Sequence, residues 1–411
     1  MTEQNSRTSR LGWRRLLAAT AATGVWTACL TGLAPSVAVA DDIQSQQWYL
    51  DQMKAEEMWK VSQGEGVKVA VVDSGVDSSI PTLRGQVLPG KDLSGGPRDE
   101  MKDRDGHGTS MAQLIAGTGA DGSVKGIAPK AKILSFKTGG DPAGRAGNGA
   151  VLFMGETIRA AAESDAQIIN VSLAGGPDQV TRKAIDYAVS KGKLVFAGTG
   201  NEGKGGNFRQ YPAALPEVAG IAAMGKSGKV ADFSTHGRDT TLAGPGLDVP
   251  AWCDGKKKKY CVKGNGGTSA ATAITSGAAA LLWAKHPDWT ANQVLRVLIK
   301  TASGTNKGKG RSKYLGYGGV RPRINLLEGK GDPGDPDISP LTGEKTINSR
   351  AGQKSSPGKG SDKDDAPDKV KVADSSSDDG SSNVLWISLG AVALVIVLSG
   401  GAFAWARARR E

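Results

Sequence analysis

Residues 67–73 read "VKVAVVD", a β-branched apolar run closed by an aspartate. Its apolar residues are not confined to alternate positions, so it predicts a strand buried on both faces. Four more runs share the character: "AKILSFK" (131–137), "QIINVSL" (167–173), "KLVFAG" (193–198) and "VAGIAAM" (218–224). Helical patterns lie between or after them, near 107–117, 149–163, 178–191, 268–286 and 290–301. Buried strands alternating with helices predict an α/β fold of three layers, a mostly parallel central sheet covered on both faces. Sites in such sheets form at the carboxyl ends of strands. Asp73 stands at one such end, and Asn201 just beyond another.

Both termini read as separate from this body. Arg7, Arg10, Arg14 and Arg15 precede an apolar run from Leu16 to Leu33, then Ala38-Val39-Ala40. A basic region, an apolar region and an A-x-A site predict a signal peptide over 1–40. At the other end, "VLWISLGAVALVIVLSGGAFAW" carries no charge. About 20 apolar residues span a bilayer, so 384–406 is expected to be one transmembrane helix. Arg407, Arg409 and Arg410 would hold the tail, 407–411, in the cytoplasm. The expectation is a single-pass plasma-membrane protein whose body faces outward. Residues 41–64 form a short extension, 65–328 the main domain. Residues 329–383, rich in Gly, Pro, Ser, Asp and Lys, predict a disordered stalk.

The formal charge of +11 is partly held by those terminal arginines. In the body the densest basic cluster is Lys256–Lys259, with no aromatic ladder of the kind that grips single-stranded nucleic acid. It reads as a solvated loop, and no nucleic-acid partner is expected. Of the three cysteines, Cys29 falls within the signal peptide. Cys253 and Cys261 flank the lysine loop, and an oxidising compartment favours a disulfide between them. A cysteine nucleophile is then disfavoured. No metal-ligand spacing stands out, and no cofactor is expected.

Histidine is the commonest general base near neutral pH, and the chain has three. His286, in "AKHPDW", fits a helix C-terminus, where a cation is favoured. His236, in "DFSTHG", reads as a loop residue. His107, in "DGHGTSMAQLIAG", lies between two glycines, which suggests a closely approached backbone. Asp73 either accepts turn N–H groups in "DSGVD" or orients a histidine; Asp77 and Asp105 are competing carboxylates in turn-like sequence. In "NGGTSAATAITSGAAALLWAKH" (265–286), Thr268 or Ser269 reads as a helix cap, or Ser269 as a nucleophile at a helix start.

Chain order discriminates. Asp73, His107 and Ser269 follow the order Asp, His, Ser, the order of subtilisin. The blocks "AVVDSGVD", "DGHGTSMA" and "GGTSAA" resemble the three signature blocks of the subtilisin-like serine proteases, and "AGTGNEG" (197–203) resembles the segment supplying that family's oxyanion asparagine. The resemblance spans roughly Gln47 to Leu327. It implies a serine endopeptidase acting on polypeptides: Ser269 as nucleophile, His107 as base, Asp73 as its orienter, Asn201 and the Ser269 N–H as oxyanion donors. "NVSLAGG" (170–176) is similar to the strand that pairs with substrate, so Ser172, Leu173, Ala174 and Gly175 are implied there, with Ala174 where the family usually has glycine. "QYP" (210–212) resembles a turn near the same pocket.

About 25 residues separate Asp41 from the first strand, too few for an independently folded inhibitor. They resemble the start of mycosins, membrane-anchored subtilases of type VII secretion systems, whose layout of signal peptide, stalk and anchor also fits. That likeness implies a partner in a type VII membrane complex, although mycosins typically carry more cysteines. The alternative is a subtilase-fold structural partner that stabilises such a complex with little need for proteolysis.

Overall fold

The computed structural model describes residues 43–346, apart from 96–98, 104, 141–150, 255–258 and 305–309. In chain order the strands are β1 (Lys68–Asp73), β2 (Val87–Asp92), β3 (Lys132–Lys137), β4 (Gly139–Gly140), β5 (Val151–Leu152), β6 (Ile168–Val171), β7 (Leu194–Gly198), β8 (Ala219–Met224), β9 (Thr240–Pro245), β10 (Ala251–Asp254) and β11 (Lys259–Cys261). The helices are α1 (Trp48–Met53), α2 (Ala55–Trp59), α3 (His107–Ala116), α4 (Met154–Glu163), α5 (Gln179–Ser190), α6 (Thr268–Lys285), α7 (Ala291–Lys300) and α8 (Arg323–Glu328).

The main sheet runs β2-β3-β1-β6-β7-β8-β9, every neighbouring pair parallel. Alternation along β1 shows why both faces must be covered. Val69 and Val71 enter one core with Ile115, Ile274 and Leu281, from α3 and α6. Ala70 and Val72 enter a second core with Ile158 and Ile185, from α4 and α5. Each such valine, isoleucine or leucine side chain, fully buried, stabilises the fold by about 1.5–3 kcal/mol. The result is the expected three-layer α/β arrangement with a parallel centre.

All five sequence-read strands are present. Two edge strands were not anticipated. β2 carries Pro89 and Gly90 and shifts register between Leu88 and Lys91, and proline is tolerated at a sheet edge. The helix expected over 149–163 starts later, because Val151–Leu152 pair as β5 and Phe153 turns at φ 62°. α6 is buried from Ala270 to Trp283, which explains an apolar run with no polar face.

The extension is built into the domain. Trp48, Tyr49, Met58 and Trp59 belong to the first core, and the Trp59 indole donates to the Ile127 carbonyl at 2.8 Å. The stalk expectation needs correction at its start, since residues 329–346 are seated on α7. Arg296 donates to the carbonyls of Pro333, Ile338 and, at 2.8 Å, Asp335. Thr290 and Asn292 both reach the Pro336 carbonyl, at 3.0 and 2.9 Å. A Gly/Pro-rich chain buries little apolar surface, but here its carbonyls are satisfied by side chains of a rigid helix.

The expected signal peptide, the stalk beyond 346, the transmembrane segment 384–406 and the tail lie outside the described residues. Among the described residues, no helix is long and apolar enough to cross a membrane.

Candidate active site

The ends of β1 and β7 and the starts of α3 and α6 meet at the carboxyl edge of the sheet. β1 ends in Asp73, which has no exposed surface. α3 begins at His107, after Gly106 in the left-handed region at φ 89°. Helix and strand approach so closely that a Cβ on Gly108 would lie 2.2 Å from the Gly75 carbonyl oxygen. Glycine is required there.

This approach places His107 Nδ1 at 2.8 and 3.0 Å from the two Asp73 oxygens. The Ser74 N–H also donates to Asp73 Oδ1, at 2.7 Å. Burial pushes the His107 pKa down, but the charge and hydrogen bond of Asp73, with the charge of Asp103, outweigh it and hold the value above normal. An imidazole gripped at Nδ1 turns Nε2 outward as the proton acceptor.

Neither Thr268 nor Ser269 caps α6. The cap position is Gly267, with no side-chain bond, and Thr268 is the first helical residue. Ser269 therefore sits in the first turn, whose N–H groups have no acceptor inside the helix. Its Oγ donates to the Ser172 carbonyl at 3.1 Å. Ser172 Oγ donates back to the Ser269 carbonyl at 3.3 Å.

Asn201 follows β7 and is exposed. Its Oδ1 accepts from the Thr268 N–H at 3.0 Å and from Thr268 Oγ1 at 3.2 Å. With the oxygen side held, the Asn201 NH₂ faces away from Thr268. Thr268 Oγ1 also accepts from the Gly200 N–H at 3.2 Å. An amide and a free helix N–H are the donors a developing oxyanion needs.

The implied substrate strand is only partly open. Leu173 is buried in the second core. Gly175 exchanges both backbone bonds with Tyr211, at 2.9 and 3.0 Å, so it offers no backbone group to a third strand. Ser172 and Ala174 keep the positions from which a chain could be met. Tyr211 itself precedes a cis Pro212.

The remaining candidates take local roles. Asp77 Oδ1 accepts from the Ser79 N–H, and Asp105 Oδ1 from the His107 N–H. His236 stacks on Tyr314, and His286 on Trp289. Cys261 faces Ala251 in the β10–β11 ribbon, with Cys253 two residues along the opposite strand. The Cys253 side chain lies outside the described ones. Among the described residues no His, Cys, Asp or Glu group could hold a metal. Sequence reasoning missed Ser74, Asp103 and the orienting role of Thr268. Asp103 was visible as an acid just ahead of a helix start.

Comparison with known proteins shows the family. The model of the subtilase family matches residues 64–318. The chain is 36% identical over 239 residues to the major intracellular serine protease of Bacillus subtilis (strain 168), covering 56% of this chain and 72% of that one. Among solved structures it is similar to the MycP3 protease from the type VII (ESX-3) secretion system, at 29% identity and a TM-score of 0.57, covering 70% of this chain and 90% of that one. MycP1 from Mycobacterium smegmatis is similar at 26% identity and a TM-score of 0.59, covering 74% of this chain and 89% of that one.

Proposed function

The chain belongs to the subtilase family and is a serine endopeptidase related to the mycosins; from that premise we propose that Asp73, His107 and Ser269 are its catalytic triad. Ser269 Oγ attacks a peptide carbonyl while His107 Nε2 takes its proton and later delivers it to the leaving amine. Asp73 fixes the tautomer and stabilises the imidazolium. The Asn201 amide and the Ser269 N–H meet the oxyanion, with the helix N-terminus adding a favourable field. The single observation that carries this reading is the buried Asp73 carboxylate against His107 Nδ1, at 2.8 and 3.0 Å.

The site's work is further proposed to be extracytoplasmic. The segments at 1–40 and 384–406 support a body exported and then anchored by one span. Likeness to a protease described as part of a type VII secretion system supports a partner in such a complex. A Cys253–Cys261 bridge across the β10–β11 ribbon belongs to the same proposal.

One observation favours a resting or scaffolding state. Ser269 Oγ is bonded to Ser172 and, among the described residues, not to His107. The test is to treat the full chain in membranes with a fluorophosphonate probe and map the label. Labelling at Ser269 that is lost in His107→Ala supports the triad; no label on folded protein supports the scaffold. Proteolysis of intact spheroplasts tests the topology, since a body on the outer side is digested.

A further inference from the structure

We infer that Asp103 is a positioning residue for the His107–Asp73 pair, acting through Ser74 and the first turn of α3; the inference rests on the triad reading above. Its carboxylate is the hub of five donors. Oδ1 accepts from Ser74 Oγ at 2.9 Å, the Asp105 N–H at 3.0 Å and the Gly106 N–H at 2.8 Å. Oδ2 accepts from the Thr109 N–H at 2.9 Å and Thr109 Oγ1 at 2.7 Å.

These bonds close a ring around the catalytic pair. Ser74 lies between the two elements: its N–H donates to Asp73 Oδ1 at 2.7 Å, and its Oγ accepts from the Gly108 N–H at 3.0 Å. Asp103 therefore holds the last residue of β1 and the first turn of α3 in one frame. α3 has no side-chain cap from its own N-cap residue, Gly106. Asp103 does that work from three residues earlier, and its charge suits the positive end of the helix.

Asp103 is itself held. Its loop is pinned to the segment that follows β1 by the Val76 N–H on the Glu100 carbonyl and the Ser78 N–H on the Met101 carbonyl, each at 3.2 Å. Upstream, the nearly buried Asp92 takes the N–H groups of Ser94 and Asp99, and Lys137 Nζ at 3.6 Å. The carboxylate is thus fixed relative to β1 rather than carried on a free strand of chain.

A purely structural acid would cap the helix and nothing more. The ring predicts that Asp103 also acts on the imidazolium formed when the Ser269 proton arrives. Among the described residues, the charged groups facing His107 are Asp73 from β1 and Asp103 and Asp105 from the preceding loop. Lys137, beside Asp73 in register, is turned to Asp92. Ser269, from α6, is neutral.

The chain has three histidines, so full-length protein labelled at histidine ¹³Cε1 gives three resonances, with His107 assigned by its loss in His107→Gln. Asp103→Asn, Asp103→Glu and Ser74→Ala are compared with wild type for His107 titration and for the rate of fluorophosphonate attack on Ser269. Asp103→Asn is expected to lower the His107 pKa and slow attack about tenfold. Asp103→Glu is expected to restore the titration but only part of the rate. Ser74→Ala is expected to slow attack with the titration unchanged, separating the tether from the charge. A folded Asp103→Asn that keeps both the wild-type titration and the wild-type rate overturns the inference. If Asp103→Asn does not fold, Asp103→Glu and Ser74→Ala decide: wild-type rates in both overturn it. Absence of labelling in wild type itself counts against the triad, while the His107 titration still judges Asp103.

Discussion

Ser269 and Ser172 hold each other: the hydroxyl of each donates to the backbone carbonyl of the other, at 3.1 and 3.3 Å. The proposed nucleophile is thereby tied to the segment proposed to meet a substrate. On the proposed triad, a substrate N–H taking the Ser172 carbonyl would compete with Ser269 Oγ and free it to turn toward His107.

The first prediction is that peptide binding raises the reactivity of Ser269. A peptidyl fluorophosphonate should label Ser269 faster than a small alkyl one by more than its added binding accounts for. Saturation kinetics separate the two, because the maximal rate, not only the half-saturation concentration, should differ. Equal maximal rates would leave the tie without consequence. Ser172→Ala removes the return bond and the oxygen that accepts from the Asn170 amide at 2.9 Å, so its expected cost is about 1–3 kcal/mol.

Activity and the His107 contribution to stability should run in opposite directions with pH. The raised His107 pKa means that the folded protein holds this proton more tightly than the unfolded chain. That stabilisation is complete below about 6.5, the ordinary histidine value, and is lost as pH rises through the raised one. Catalysis needs the neutral base, so kcat/KM climbs through the raised pKa. Urea unfolding of wild type and His107→Gln across this interval, beside the pH–rate profile, checks both slopes.

Thr268 should matter through Asn201. Removing the amide in Asn201→Ala is expected to lower kcat by about 10²- to 10³-fold with little change in KM. Thr268→Val deletes the hydroxyl that holds Asn201 Oδ1 and receives the Gly200 N–H. Its expected loss is smaller, about tenfold in kcat. Additive losses in the double variant would show that Thr268 does not act through Asn201.

Residues 329–346 should contribute to stability without touching catalysis. The cavity they help line includes Ser190, Lys193 and Leu194, at the start of β7, whereas Asn201 lies beyond its end. Arg296→Ala strands several carbonyls and is expected to cost about 1–3 kcal/mol. Urea denaturation of the full chain should show that loss, with the labelling rate of Ser269 unchanged. A fall in rate at constant stability would contradict this placement.

The catalytic candidates were legible because their signals are local. An apolar run ending in Asp73, paired glycines around His107 and a glycine-led helix at Ser269 each declare a strand end or helix start. β2 and β9 were not legible, because Pro89, Gly90 and Pro245 weaken the strand pattern and only pairing with β3 and β8 makes them strands. Composition misjudged 329–346, whose order comes from hydrogen bonds to α7 rather than from apolar burial.

The sequence by itself determined the layered fold and marked out the candidate reacting groups, since periodicity and turn residues act over a few positions. Only the tertiary structure decided how those groups stand. Ser269 points at Ser172, 97 residues away in the chain; Asn201 is turned by Thr268, 67 residues away; and Asp103 serves His107 through Ser74. Hydrogen bonds are directional and short, so their partners are chosen by where folded backbones meet, and no local pattern records that meeting.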